Sequence, residues 1–217
     1  MPASSLNNFT VPLDTSDSKA TQNLLMPKLQ YRFRALFENF GISSGDTVQL
    51  TKQVASISRP NLNFNPFTID VYNSKVNLVG KPTWEAVTVT LRDDIRGDVS
   101  KLVGEQVQKQ FDFMQQSSAS SGNDYKFLLR FEMLDGGNGE HGWNVLETWQ
   151  LVGAFIATVN YNEMAYTESS PATITLSIMY DNAIQTDVNG GVGTGIGTDV
   201  GRTLGEITTG VGNFNAI

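Results

Sequence analysis

At 217 residues the chain is long enough for one domain of ordinary size with extensions, and with 40% hydrophobic and 17% charged residues it can build a core under a largely neutral polar surface. It has no cysteine, which excludes disulfides, thiolate metal sites and cysteine nucleophiles. A formal net charge of −7, with no run of lysines or arginines, argues against a surface that wraps nucleic acid by neutralising phosphates.

Residues 1–27 are polar, with Phe9 their one aromatic, and read as a flexible arm without a core of its own. Met1 to Ser18 lacks the basic start and apolar centre of a signal peptide, and no stretch is long and apolar enough to span a bilayer. The expected place of synthesis and assembly is therefore the cytoplasm of the producing cell.

From residue 28 period-two patterns dominate, placing alternate side chains on opposite faces of a sheet. Leu29, Tyr31, Phe33, Ala35 and Phe37 alternate with Lys28, Gln30, Arg32 and Arg34. Shorter strands are expected at Val48–Ile57, Thr68–Tyr72, Val76–Val79 and Trp84–Arg92. The rhythm then changes. Val99, Leu102, Val103, Val107, Phe111 and Met114 are spaced three or four apart, which predicts a helix over about 98–116. Asp98 is its expected N-cap, Lys101, Glu105 and Lys109 its wet face, and Ser117–Gly122 its breaker.

Strand patterns return at Tyr125, Phe127, Leu129, Phe131 and Met133, at Thr148–Val159, and at Ala172, Ile174, Leu176, Ile178 and Tyr180. Residues 182–217 hold nine of the twenty glycines and read as a glycine-rich tail. The expected fold is mainly β: an antiparallel β-sandwich or partial barrel over 28–181, of about eight strands with one inserted α-helix.

Candidate chemistry is sparse. His141 lies in the glycine-rich stretch Asp135–Gly142, without the nucleophile turn or orienting partner that general-base catalysis needs, and reads as a solvated loop residue. Asp93 and Asp94 are adjacent, but neighbours in a strand point to opposite faces, so they read as a solvated strand end before the helix. The run Gly191–Gly197 lacks the preceding strand and following helix of a phosphate-cradling loop. There is no metal-ligand spacing and no implied cofactor, and the chain is not expected to be an enzyme.

The surfaces carry more information. Thr173, Thr175 and Ser177 form a neutral face on the last strand, and Thr88 and Thr90 do the same opposite Val87, Val89 and Leu91. Such faces carry little charge to repel another sheet edge, and Pro60, Pro66 and Pro82 flank strands rather than interrupting them. Head-to-tail pairing in a closed ring would satisfy every edge. A monomeric sandwich with its edges covered by the arms fits the same periodicity.

From about Pro27 to Gln185 the chain resembles the tail tube proteins of contractile, T-even-like bacteriophages. The resemblance is carried by the opening strand Tyr31–Phe37 and by Ser56-Ile-Ser-Arg-Pro60. It continues through Tyr72-Asn-Ser-Lys-Val76 and Gly80-Lys-Pro to Trp84-Glu-Ala-Val-Thr-Val-Thr-Leu-Arg-Asp93. It ends with Trp149-Gln-Leu-Val-Gly153 and the closing strand Thr173–Asp181. The specificity lies in the order of these stretches; the arm, the loop near Asn138 and the glycine-rich tail extend beyond the compact members.

The resemblance implies hexameric rings stacked into a tube whose inner wall is a continuous β-barrel, with the helix outside near the sheath. It also implies that the loop Arg59–Lys81 reaches the next ring, with Arg59, Phe64, Phe67, Tyr72 and Lys81 as contact candidates and Phe64 and Phe67 as apolar anchors. The protein itself, a tail sheath, a baseplate, a tape-measure protein and a terminator are the implied partners, in a virion through whose tail DNA passes without specific binding. Thr88, Thr90, Thr173, Thr175 and Ser177 are the candidates for lining that lumen, where an acidic or neutral wall avoids holding phosphates. Type VI secretion and pyocin-like tubes are the related alternatives, and a β-sandwich binding module, with Trp143 and Trp149 as candidate contact aromatics, is the more distant one.

Overall fold

A computed structural model describes residues 27–42, 47–136, 144–187 and 191–193. His141, Trp143, residues 1–26 and most of the glycine-rich tail lie outside the described residues. The elements in chain order are β1 (Phe33–Glu38), α1 (Thr47–Gln53), β2 (Val54–Ile57), β3 (Leu62–Phe64), β4 (Phe67–Val71), β5 (Ser74–Leu78), β6 (Pro82–Trp84) and β7 (Val87–Arg92). They continue with α2 (Asp98–Gln110), β8 (Phe111–Asp112), β9 (Ser117–Ser118), α3 (Gly122–Tyr125), β10 (Phe127–Leu134), β11 (Val145–Asn160), β12 (Thr173–Met179) and β13 (Asn182–Asp187).

The fold is mainly β and antiparallel, as expected, and its organiser is the sixteen-residue β11. The first half of β11 lies between β10 and β13, and its second half pairs with β12. Between the halves stands Gly153 at φ 68, in a register shift that adds one residue to β11 opposite β10. A left-handed residue at a bulge bends a strand sharply, and glycine takes that conformation without steric cost. One sheet therefore runs β1-β10-β11-β13 and a second runs β11-β12-β7-β2, joined through the bent strand. The barrel is not closed, because β1 and β2 do not pair with each other.

Between the sheets lies the core. Ala35, Phe37, Leu129, Phe131 and Leu151 from the first sheet are buried with Val87, Val89, Leu91, Ile174, Leu176 and Ile178 from the second. Phe131 and Trp149 stack at 6.3 Å, and Phe40 meets Phe37 and Phe127 edge-on. The alternation predicted for the last strand is reproduced, from Ile174 through Tyr180. Helix α2 adds Val99, Leu102 and Val103. Its buried Gln106 accepts from the Gly41 N–H at 2.9 Å and donates to the Tyr125 carbonyl at 2.6 Å, so the polar group costs little.

Several boundaries differ from the sequence reading. The first strand begins at Phe33 rather than near Leu29, because Arg32 N–H turns back to the Leu29 carbonyl and leaves Tyr31 exposed. The first half of Val48–Ile57 is helical; Leu50, Val54 and Ile57 suit a helical spacing as well as an alternating one in so short a window. Trp84–Arg92 is split into β6 and β7.

The long helix stops at Gln110 and leaves Met114 exposed, because the Asp112 carboxylate accepts from the Met114 and Gln115 N–H groups and draws the chain into a turn. Its N-cap is Gly97 at φ 72, not Asp98, and the Asp94 carboxylate accepts from Val99 N–H at 3.1 Å. Lys101 pairs with Glu105 at 3.7 Å, whereas Lys109 reaches the carbonyls of Asn39 and Gly41. Two short helices, α1 and α3, join the one predicted. The sheet also runs past residue 181 in β13.

Candidate functional site: the assembly surfaces

The outer faces of the two sheets differ in kind. On the first, Arg34 pairs with Glu132, and Arg130 reaches Glu38 at 3.0 Å and Glu132 at 3.7 Å, forming a charged ladder across β1 and β10.

On the second, strand register gathers hydroxyls and amides into rows. Ser56, Thr90, Thr175 and Asn160 stand opposite one another across β2, β7, β12 and β11. The next row is Thr88, Ser177 and Thr158, with the Ser58 hydroxyl accepting from Thr88 N–H at 2.9 Å. Thr173 faces Arg92 at one end, and Met179 faces Phe155 at the other. All five residues singled out as lumen candidates thus share one face, turned away from the core, and Arg92 is the one charged side chain in those rows. Ser56, Thr158 and Asn160 belong to the same face and were missed, because short, irregular alternation in β2 and a register shift in β11 hide their side.

The sheet carrying this face ends in two strands with an open side. Among the described residues β2 pairs with β7 alone, and the second half of β11 pairs with β12. On the open side of β11, the Gln110 amide takes a strand's place at one residue, donating to the Ile156 carbonyl and accepting from its N–H, each at 2.9 Å.

The segment between β2 and β7 is a two-tier ribbon: β3 pairs with β6, and β4 with β5 beyond them. In the outer tier Phe67 faces Leu78, Ile69 faces Val76, and Val71 faces Ser74 at the turn, so one face is apolar except for Ser74. The five apolar side chains are 41–50% exposed. The other face carries the Thr68–Asn77 hydrogen bond at 2.8 Å and the Asp70–Lys75 pair at 3.3 Å. Of the contact candidates, Phe64 and Phe67 lie half-exposed on the ribbon, Tyr72 is fully exposed at its tip with φ 46, and Lys81 is exposed at the junction of the two tiers. Arg59 stands apart from them. It turns back into the body, toward Glu147 at 3.7 Å and the Met133 sulfur.

Glu147 was not anticipated, although it is the most connected buried carboxylate described. It accepts from Lys28 at 2.8 Å, from the Trp149 indole at 2.6 Å and from the Gln185 amide at 3.1 Å. Burial pushes its carboxyl up, but the bonds from Lys28 and Trp149 and the charges of Arg59 and Lys28 outweigh that and hold it below its ordinary value. The alternation along β11 marks position 147 as inward, and an inward acid in a strand is the signal that could have found it.

Between β1 and β2 lies a slot of about 1010 Å³ with Lys28, Arg34, Lys52, Arg59 and Arg92 around it and Ala35, Val54, Ile57, Phe131 and Met133 at its floor. Asp93 and Asp94 do not converge: the Asp93 carboxylate accepts from Asp94 N–H, and that of Asp94 serves the helix start. Among the described residues no group of three or more histidines, aspartates and glutamates could hold a metal ion, and no helix is long and apolar enough to cross a membrane.

No protein-family model matches the chain, and a sequence comparison with curated proteins also finds no match. Similarity to solved structures is extensive. The tube-terminating cap of the anti-feeding prophage matches with a TM-score of 0.56 at 14% identity, over 80% of this chain and 98% of that one. The sheath/tube terminator of an extracellular contractile injection system, PVC in its extended state, matches with a TM-score of 0.53 at 14% identity, over 75% and 99%. A chain of the PVC sheath–tube complex in the extended state matches with a TM-score of 0.50 at 16% identity, over 75% and 93%. At these identities the likeness is one of fold. The chain has the fold found in the tubes and tube ends of contractile injection systems.

Proposed function

We propose that this chain is a structural subunit that forms rings and stacks them into the inner tube of a contractile tail. The reading is carried by the four-stranded sheet β11-β12-β7-β2, which presents a neutral hydroxyl face and in which, among the described residues, β2 and the end of β11 beyond Ile156 have no strand on their outer side. Pairing β11 of one copy with β2 of the next continues that sheet around a ring and satisfies both edges. The fold shared with sheath–tube assemblies supports it.

The finer reading is the tail tube of a contractile bacteriophage, with the hydroxyl face lining a lumen through which DNA passes. An acidic chain whose lumen wall is hydroxyl-rich gains little of the counterion-release affinity that would stall a genome. The sheath then surrounds the tube, baseplate and terminator close its ends, and the tape-measure protein fills it before ejection. The subunit is a structural element of the virion and performs no catalysis.

A second reading is a cap or terminator at the tube's end, favoured because two of the structures that match over nearly their whole length are a tube-terminating cap and a sheath/tube terminator. Negative-stain electron microscopy of the purified protein, with its mass in solution, tests both. Rings that stack into long tubes support the tube subunit. Single rings that never stack support the terminator, and a monomer at high concentration overturns both.

A further inference from the structure

We propose that the slot between β1 and β2 receives the β11–β12 connection, residues 161–172, of a second copy of the chain. The proposal rests on the ring reading and names the contact that joins neighbours within the ring.

Among the described residues the side chains lining the slot include five cations and no carboxylate. Lys28 and Arg59 turn toward Glu147, and Arg34 toward Glu132. Lys52 and Arg92 form no ion pair among the described residues. The opposite edge of the same sheet carries the complement. Residues 161–172 are exposed throughout and hold Glu163 and Glu168 but no lysine or arginine. Tyr161, Met164 and Tyr166 are 56%, 89% and 112% exposed. The connection is nonetheless a built structure: Asn162 donates its amide to the Thr173 carbonyl and to the hydroxyls of Thr173 and Thr175, and Glu168 N–H bonds to the Ala165 carbonyl. A fixed loop exposing large apolar side chains together with single-sign charge is suited to a partner.

Strand register puts the two surfaces at the same end of the sheet. Thr173 faces Arg92, Asn160 faces Thr175, and Val54 faces Leu91. They sit on opposite edges, roughly 14 Å apart across four strands, and within one copy no residue of 161–172 lines the slot. Head-to-tail placement of β11 against the next copy's β2 therefore carries the acidic connection onto the cationic slot at matching height. Glu163 and Glu168 meet Lys52 and Arg92, while Met164 and Tyr166 cover the apolar floor.

The chain's lack of cysteine makes the test direct. A full-length double variant, Lys52→Cys with Tyr166→Cys, is oxidised and run on a non-reducing gel, with the same sample imaged by negative stain. The expected result is a ladder of covalent oligomers ending at the ring size, with each single variant giving nothing beyond a dimer. Rings without a ladder overturn this contact and leave the ring reading standing. A monomer without rings overturns both, and an oxidised product of monomer mass places the connection in its own slot and overturns the second copy as occupant. Independently, Glu163→Lys with Glu168→Lys is expected to raise the concentration for half-assembly about tenfold, and adding Lys52→Glu with Arg92→Glu to restore it. Unchanged assembly in the first variant also overturns the proposal.

Discussion

The indole N–H of Trp149 donates to the Glu147 carboxylate at 2.6 Å, joining two inward-facing residues of β11, both buried. The same carboxylate takes Lys28 from just before β1 and Gln185 from β13, with Arg59 at 3.7 Å from the base of the ribbon. One charge thus holds together the points from which the arm, the ribbon and the tail depart.

Replacing Glu147 with glutamine keeps an acceptor for Trp149 but removes the charge that Lys28 and Arg59 face. A loss of about 2 kcal/mol is expected at neutral pH, the scale of charge-assisted hydrogen bonds. The sign with pH follows from the lowered carboxyl. Its stabilisation is present above the ordinary value of 4.5 and is lost as pH falls below it toward the folded value. Denaturant unfolding of both proteins at neutral and acid pH should show the difference between them shrinking in acid; a constant difference would refute this account.

Tyr180 buries its hydroxyl without a hydrogen-bond partner among the described residues, its ring beside Trp84 at 5.8 Å. Burial, and then the charge of Glu85, push the phenol up from its ordinary 10.0 to about 12. The unfolded chain therefore ionises first, and stability drains away as pH rises between those values. Tyr180→Phe is expected to unfold at equal or up to about 1 kcal/mol higher free energy at neutral pH. It should also lose part of the alkaline decline, read by unfolding at high pH.

The long alternations were legible because each has a single apolar face: Leu129, Phe131 and Met133 in β10 and Ile174, Leu176 and Ile178 in β12 announce both strand and side. The hydroxyl rows followed from the same rule. Illegible were features set by local competition or distant partners. Asp112 ends α2 early through its own side chain, and α1 occupies a window whose spacing suits either element. The clustering of Lys28, Arg59, Glu147 and Gln185 depends on segments far apart in sequence, which periodicity cannot bring together. The slot likewise exists only because β1 and β2 end up as unpaired neighbours.

Gly80 sits where an added Cβ would come within 1.9 Å of the Asn65 carbonyl oxygen, inside the ribbon. Gly80→Ala should separate the two sides of the ribbon without reaching the core. Hydrogen exchange is expected to show lost protection in β4 and β5, while the global unfolding free energy changes by less than about 1 kcal/mol. Retained protection would mean that the backbone relaxes around the methyl.

Thr90 and Thr175 stand opposite one another in the middle of the hydroxyl face. Replacing both with lysine adds two positive charges per subunit while leaving the core side of the strands untouched. If the face lines the lumen, variant tubes should retain DNA that wild-type tubes release, with retention falling steeply as salt rises. Identical behaviour of the two tubes would place the face elsewhere in the assembly.

Phe64 and Phe67 test the ribbon's part in stacking. Both are about half exposed, at 48% and 50%, and neither belongs to the core between the sheets, so replacing them with serine loosens the ribbon and leaves the body of the subunit intact. The global unfolding free energy should therefore move by less than about 1 kcal/mol, the loss falling on the ribbon's local stability. Their value would lie at an interface, where paired aromatic anchors often carry more than about 2 kcal/mol each. The double variant Phe64→Ser with Phe67→Ser is expected to form rings of normal diameter that fail to stack. Long tubes of unchanged length would show that rings adhere through another surface, and failure to form rings at all would move the ribbon from the axial contact to the lateral one.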